Sequence, residues 1–479
     1  MSIEGETNGT NDTTPKLHIF FFPLLAQGHI IPVIDMVKLF STRGVKSTLI
    51  TTTYNEPLFL RSIERTRKLG FDIQVVTLTL PLEESSRAEL LSTAAASCAE
   101  SEAKSAPFAI FRKAQDDSNT PSSVRELLPI VWADHRNEFG PRMEHALVKI
   151  VFVRASYGLD AWTAPTLTST GLLLQEEILE ILSRKKLSSQ NFFKKMMESE
   201  LRSYRVVMNS FYELEPIYAD LYGDVSGRQS LGVDLLFLCN QDMEDKKQRG
   251  NRVAIGEDGC LKWLNSKEPD SVVYICFGSM STSQLHEIAK GLEASGEQFV
   301  WVVKKDDSVE EGKEEWLPQG SGGWKFDNYS MYLQDAREGP NPKGWAPHVL
   351  ILDHWADGGF VTHCRWNSTL EGISSGVPMV TWPVAAEQFS NEKLIIEVLR
   401  IGVPVGVKRW MRQVGDSVES EKVEKAVRRM MVGEEAEEMR VKARELSNMA
   451  KRAVEEGGSS HSKLTVLLEE LKFPKVAAH

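Results

Sequence analysis

The chain is predicted to be an α/β protein made of two Rossmann-like halves, on three observations. Apolar runs of strand length alternate with amphipathic helical stretches in both parts of the sequence. A charged, glycine-punctuated segment without periodicity separates those parts. With 479 residues and 42% hydrophobic content, the chain can bury two ordinary α/β cores.

The elements follow in order. Residues 1–16 are polar and turn-rich and read as a disordered tail. From Leu17 a strand, LHIFFFP, leads through the loop LLAQGH into the helix pattern IPVIDMVKLFSTRG and a second strand, KSTLITT. That is how a Rossmann-like half opens, but no G-x-G-x-x-G follows the first strand, so a nicotinamide or flavin dinucleotide site is not supported. Strand and helix candidates continue through VKIVFV (148–153) and RVVMNSFYELEP (205–216), giving a first domain over 17–237. The stretch LCNQDMEDKKQRGNRVAIGEDG, 238–259, is the predicted interdomain linker. A second domain over 260–456 ends in charged amphipathic helices at 419–432 and 434–456. No repeat of 20–50 residues is present.

Composition excludes several function classes. A net charge of −11 argues against nucleic acid or an anionic membrane as the main partner, because both require clustered positive charge. The five cysteines (Cys98, Cys239, Cys260, Cys276, Cys364) are scattered, without CxxC pairs or zinc spacing, as expected of a reduced cytoplasmic protein. HIFFFPLLA is too short to span a bilayer and has no basic region before it, so no secretion signal or integral membrane segment is expected. The N-x-T triplets at Asn8 and Asn11 then read as chance occurrences.

Residues 345–392 hold most of the functional information. VLIL (349–352), GGFVTH (358–363) and VPMVTW (377–382) read as strands, with a helix over NSTLEGISSG between the last two, so that they form a βαβ unit. Asn367 or Ser368 is the expected helix cap, and Gly376 the expected terminator. Such a helix start presents unpaired N–H groups and partial positive charge, where a diphosphate binds without a metal. His363, one short loop earlier, can donate to the same phosphates. Glu371 shares a helix face with Asn367 and suits paired ribose hydroxyls, although a solvated helix acid is the commoner fate of a lone glutamate. Trp345 suits either core packing or stacking on a base. Glu387 and Gln388 follow the third strand at the carboxyl edge, where open α/β sheets hold ligands, and suit sugar hydroxyls.

Together these residues resemble the signature box of plant secondary-product UDP-glycosyltransferases, from Trp-Ala-Pro at 345–347 through His-Cys-x-Trp-Asn-Ser at 363–368 to Glu-Gln at 387–388. The resemblance covers most of the chain and is closest to the flavonoid and triterpenoid branch. It implies a GT-B fold, two facing Rossmann-like domains with a C-terminal helix, 457–479, returning to the first. It also implies a donor site: Trp345 on uracil, with Ala346 and His348 beside it, Glu371 on ribose, and His363, Asn367 and Ser368 on the diphosphate. Trp366, Glu387 and Gln388 would hold the sugar, and SVVYICFGSM (271–280) would bring Ser279 to the phosphates. The implied partners are a UDP-sugar and a small-molecule acceptor, bound by a monomer, with UDP-glucose as co-substrate and neither a cofactor nor a metal.

Gly-His-x-x-Pro at 28–32 places His29 between a strand and a helix, near positive helix-end potential that disfavours protonation. Alone, such a histidine is more often structural. The resemblance makes it the general base, oriented by Asp134 in LLPIVWADHRNEFG, an aspartate that also suits a turn or cap. The implied reaction is direct displacement with inversion, from an α-linked donor to a β-O-glucoside. Arg365 stands where the family has glycine and is expected to obstruct the diphosphate site. Residues 135–198 and 321–343 depart from the family pattern. A catalytically impaired relative that binds nucleotide-sugar or a small molecule without efficient turnover is the alternative these departures suggest.

Overall fold

A computed structural model describes residues 17–21, 23, 27–53, 55–78, 148–151, 205–220, 230–232, 238, 244, 246, 249, 257–276, 280–304, 330–335, 347–384, 387–408 and 417–472, and at residues 27–29, 78, 148–151, 230–232, 257–259, 282, 303–304 and 330–335 the backbone alone. The expected tail at 1–16 lies outside them, and so do most of 135–198 and 321–343.

The first half opens with β1 (His18–Phe21), α1 (Gln27–Thr42), β2 (Lys46–Thr52), α2 (Leu60–Lys68) and β3 (Ile73–Leu78). The three strands are parallel in the order β1-β2-β3. β2 occupies the KSTLITT run and is buried along almost its whole length, as β-branched residues between two covered faces favour. In α1, Ile30, Val33, Ile34, Val37 and Phe40 recur at helical spacing and are all buried. α1 begins at Gln27, earlier than the expected IPVIDM start, so residue 29 lies in its first turn and not in a preceding loop. The helix runs through Pro32, whose fixed φ suits a helix and whose missing N–H affects only the carbonyl of residue 28. A second parallel set, β4 (Val148–Val151), β5 (Arg205–Met208) and β6 (Ser230–Gly232), pairs in that order.

In the second half α3 (Glu257–Leu264), β7 (Val272–Cys276), α4 (Thr282–Ser295), β8 (Gln298–Lys304), β9 (Ser330–Asp335), α5 (His348–Leu352), β10 (Asp357–Thr362), α6 (Trp366–Ser375), β11 (Met379–Thr381), α7 (Gln388–Lys393), β12 (Gly402–Pro404), α8 (Ser420–Met431), α9 (Glu434–Val454) and α10 (Ser459–Lys472) follow. The sheet order β9-β8-β7-β10-β11-β12, with every pair parallel, is the doubly wound arrangement. Its strand order reverses between β7 and β10, and a crevice at the carboxyl ends of those two strands is where such sheets bind ligands. Alternate β7 residues face opposite cores. Val272 and Tyr274 join α3, α5, α6 and α9, whereas Val273 and Ile275 join α4 and α8. Gly359 in β10 lets Met430 of α8 approach closely, since a Cβ there would lie 2.2 Å from the Met430 methyl.

Two expectations are corrected. VLIL at 349–352 is helix α5, not a strand. All four side chains are buried, so no alternation separates a strand from one helical turn, and Pro347 sets the start. The predicted linker, 238–259, also ends earlier than expected: α3 starts inside it at Glu257, and within it Lys246 pairs with Asp353 at 2.6 Å. The closing helices match their expected spans closely. α10 returns to the first half, where Leu464, Leu467 and Leu468 complete the core of α1, β2 and Val207. Arg205 grips Glu470 with two nitrogens, at 2.9 and 2.6 Å. Among the described residues no helix is long and apolar enough to cross a membrane.

Candidate functional site

At the switch point β10 ends at Thr362, and His363, Cys364 and Arg365 turn the chain into α6. Cys364 adopts φ +61°, which lets the strand-to-helix turn close in three residues. The turn is pinned by Cys364 N–H donating to the Thr362 hydroxyl at 3.3 Å and by the Asn391 amide donating to the Cys364 carbonyl at 2.9 Å. The helix cap is Arg365, not Asn367 or Ser368 as expected. Residue 365 is the last with extended backbone (φ −64°, ψ 147°), so Trp366 is already helical and Asn367 and Ser368 fall within the first turn. Their backbone N–H groups belong to the set without intrahelical acceptors. Gly376 ends α6 as expected, at φ +76°.

Two residues of this turn are held by the first half. The Trp366 indole N–H donates to the Asn209 carbonyl at 2.8 Å, and the Asn209 amide donates to the Asn367 side-chain oxygen at 3.2 Å. Trp366 is buried, and its ring belongs to the core. His363 keeps a buried Nδ1 that no described group reaches. Burial, reinforced by the charges of Arg365 and His348, holds its pKa down to about 3, so the ring is neutral at pH 7.

Glu371, one turn into α6, is 5% exposed, which excludes the solvated-acid reading. One carboxylate oxygen accepts from Arg249 Nη1 at 2.6 Å and the other lies 2.9 Å from His348 Nε2. A carboxylate only accepts, so His348 Nε2 carries the hydrogen, and Nδ1 on the other side of the ring lies 2.9 Å from the Tyr274 hydroxyl. Arg249 Nε also donates to Asp35 of α1 at 2.9 Å. Burial alone would raise the Glu371 pKa, but Arg249 and His348 outweigh it and hold it down to about 2. Burial opposes the charge on Arg249, and Asp35 and Glu371 more than restore it.

Beyond β11, Gln388 opens α7, buried, with its side-chain oxygen accepting from Val384 N–H at 2.7 Å. Glu387, half-buried before it, has its pKa raised by burial. Arg365 is exposed, with no ion pair among the described residues. Its extended backbone is open to any residue, so nothing in its conformation calls for glycine.

The structure thus gathers His348, His363, Trp366, Asn367, Ser368 and Glu371 at one sheet edge, with Glu387 and Gln388 following the next strand. Asp134, Ser279, Trp345 and Ala346 lie outside the described residues, as does the side chain of His29. Sequence reasoning missed Asp35, Asn209, Arg249 and Tyr274. Asn209 had one signal, a polar amide directly after a strand. Arg249 had none, being one of many charges in a segment without periodicity.

A family model described as UDP-glucoronosyl and UDP-glucosyl transferase matches residues 258–430. The scopoletin glucosyltransferase of Nicotiana tabacum is 39% identical over 97% of this chain and 100% of its own length. The anthocyanin 3'-O-beta-glucosyltransferase of Gentiana triflora is 42% identical over 95% of this chain and 98% of its own. Among solved structures, that of Glycyrrhiza uralensis UGT73P12 complexed with glycyrrhetinic acid 3-O-monoglucuronide superposes with a TM-score of 0.77 at 30% identity, over 96% of each chain.

Proposed function

The chain belongs to the UDP-glycosyltransferase family and has its GT-B fold, and from that premise we propose that it transfers glucose from UDP-glucose to a hydroxyl of a small lipophilic acceptor. Acceptors of flavonoid, phenolic or triterpenoid type are the candidates, and the product is a β-O-glucoside. The observation that carries this reading is the β10–α6 unit: a helix start at the sheet's switch point, with a neutral imidazole before it and a carboxylate one turn inside it.

The chemistry follows from those groups. The first-turn N–H groups of α6 and one N–H of His363 stabilise the diphosphate as it leaves with the bond electrons. Glu371 accepts from the ribose hydroxyls, and Trp345, Ala346 and His348 flank the uracil. Ser279 adds a phosphate contact, Glu387 and Gln388 hold the sugar, and Trp366 backs them from the core. His29 removes the acceptor proton as the new bond forms at the anomeric carbon opposite the diphosphate, and Asp134 stabilises the resulting imidazolium. We place the protein in the cytoplasm, as a monomer that needs no cofactor or metal beyond the co-substrate.

The test is incubation with UDP-glucose and a panel of flavonols, simple phenolics and triterpenoid aglycones, reading the anomeric proton coupling of any product. A β-glucoside is expected. An α-linked product, or glucose without any acceptor adduct across the panel, would refute the reading.

A further inference from the structure

The two halves meet on one guanidinium. Arg249 bridges Asp35 of α1 and Glu371 of α6 at 2.9 and 2.6 Å, and all three side chains are almost inaccessible, with 11%, 2% and 7% of their areas exposed. Since His348 takes the other oxygen of Glu371, this carboxylate has both oxygens engaged by N–H donors. Resting on the donor reading above, we propose that Arg249 is a latch that competes with the donor's ribose for Glu371, so that the nucleoside subsite opens only as Arg249 lets go.

The physical argument has two steps. A ribose hydroxyl is a neutral donor, and a guanidinium–carboxylate bond is charge-assisted and roughly twice as strong as a neutral one, so the exchange at Glu371 opposes nucleotide binding. Release still leaves no buried charge without a partner. Arg249 remains on Asp35, and Glu371 remains on His348 with ribose as its second donor. A plain structural ion cluster would lack that second arrangement, because losing one member strands the others. Asp35 is therefore the resting place that makes the latch reversible. Asn209, which holds Asn367 from the same side, is a parallel grip of the first half on the first turn of α6.

Calorimetric titration of UDP into the full chain tests this with three variants of opposite sign. Arg249→Gln should bind UDP about tenfold tighter, the scale of one charge-assisted bond exchanged for a neutral one. Arg249→Lys, which keeps the charge but replaces the two-pronged guanidinium bridge with a single ammonium, should show a smaller gain and carries the test if the glutamine form does not fold. Asp35→Asn should weaken UDP binding severalfold, because a released Arg249 would lose the carboxylate that holds it in place. Unchanged or weaker binding in both Arg249 variants overturns the latch. If native protein then binds UDP and Glu371→Gln loses that binding, the donor reading survives without the latch. If neither the native protein nor any variant binds UDP, both are overturned.

Discussion

The imidazole of His348 joins Tyr274 to Glu371, with Nδ1 2.9 Å from the phenol oxygen and Nε2 2.9 Å from the carboxylate. Tyr274 is wholly buried on β7 and Glu371 nearly so on α6, so this ring couples the strand and the helix on either side of the switch point. His348→Ala leaves a buried hydroxyl and a buried carboxylate oxygen each short of a partner, and should cost about 2 kcal/mol of stability. His348→Gln keeps one donor and one acceptor and should recover at least half of that loss. Urea unfolding of the three forms measures both, and equal midpoints would exclude the coupling.

Two groups predict acid sensitivity. His363 is held down to about 3 against an ordinary 6.5, and Glu371 to about 2 against 4.5. In each case the unfolded chain binds the proton first, so stability is lost as pH falls, from 6.5 towards 3 for His363 and from 4.5 towards 2 for Glu371. His363→Asn removes the first window. The native protein should lose about 2 kcal/mol more than this variant between pH 6.5 and 5, by the value of a pKa unit. Thermal or urea unfolding across that range gives the comparison, and parallel pH profiles would count against a neutral buried His363.

Glu392 should behave in the opposite sense. Burial raises its pKa to about 7, although it accepts from the Thr381 hydroxyl at 2.7 Å. The folded chain then holds the proton more tightly than the unfolded one, so this contribution is present below pH 4.5 and lost as pH rises through 7. Glu392→Gln keeps an acceptor without the charge. It should match the native protein at pH 5 and exceed it by about 2 kcal/mol at pH 8. Equal stability at pH 8 would contradict the raised pKa.

Arg365 is an exposed cation at the cap of α6, close enough for its charge to help depress His363. A cation there adds to the positive end of the helix, and nothing in its backbone requires glycine. Arg365→Gly should therefore weaken UDP binding by about threefold, most clearly at low ionic strength. A gain in UDP affinity from the glycine form would restore the obstruction that sequence reasoning favours.

The doubly wound architecture was legible because β-branched runs such as KSTLITT and VVYIC carry strand length and composition together, and Gly376 marks a helix end that only a left-handed residue serves well. The box from His363 to Glu371 was legible as a site because strand, short loop and helix follow one another in sequence. VLIL misled, since a fully buried turn of helix and a buried strand have the same composition. Arg249, Asp35 and Asn209 come to α6 from 122 or more positions away in sequence, and contacts of that range leave no local pattern. The cap at Arg365 was missed because backbone conformation, not side-chain bonding, sets where α6 begins.

The most direct measurement of the central claim is UDP release from UDP-glucose in the presence of an accepted aglycone, for the native protein and for His29→Ala. Acceptor-dependent release by the native form, reduced at least about a hundredfold by the substitution as expected for a lost general base, is the predicted result. Undiminished release from His29→Ala, or release that ignores the acceptor, would contradict it.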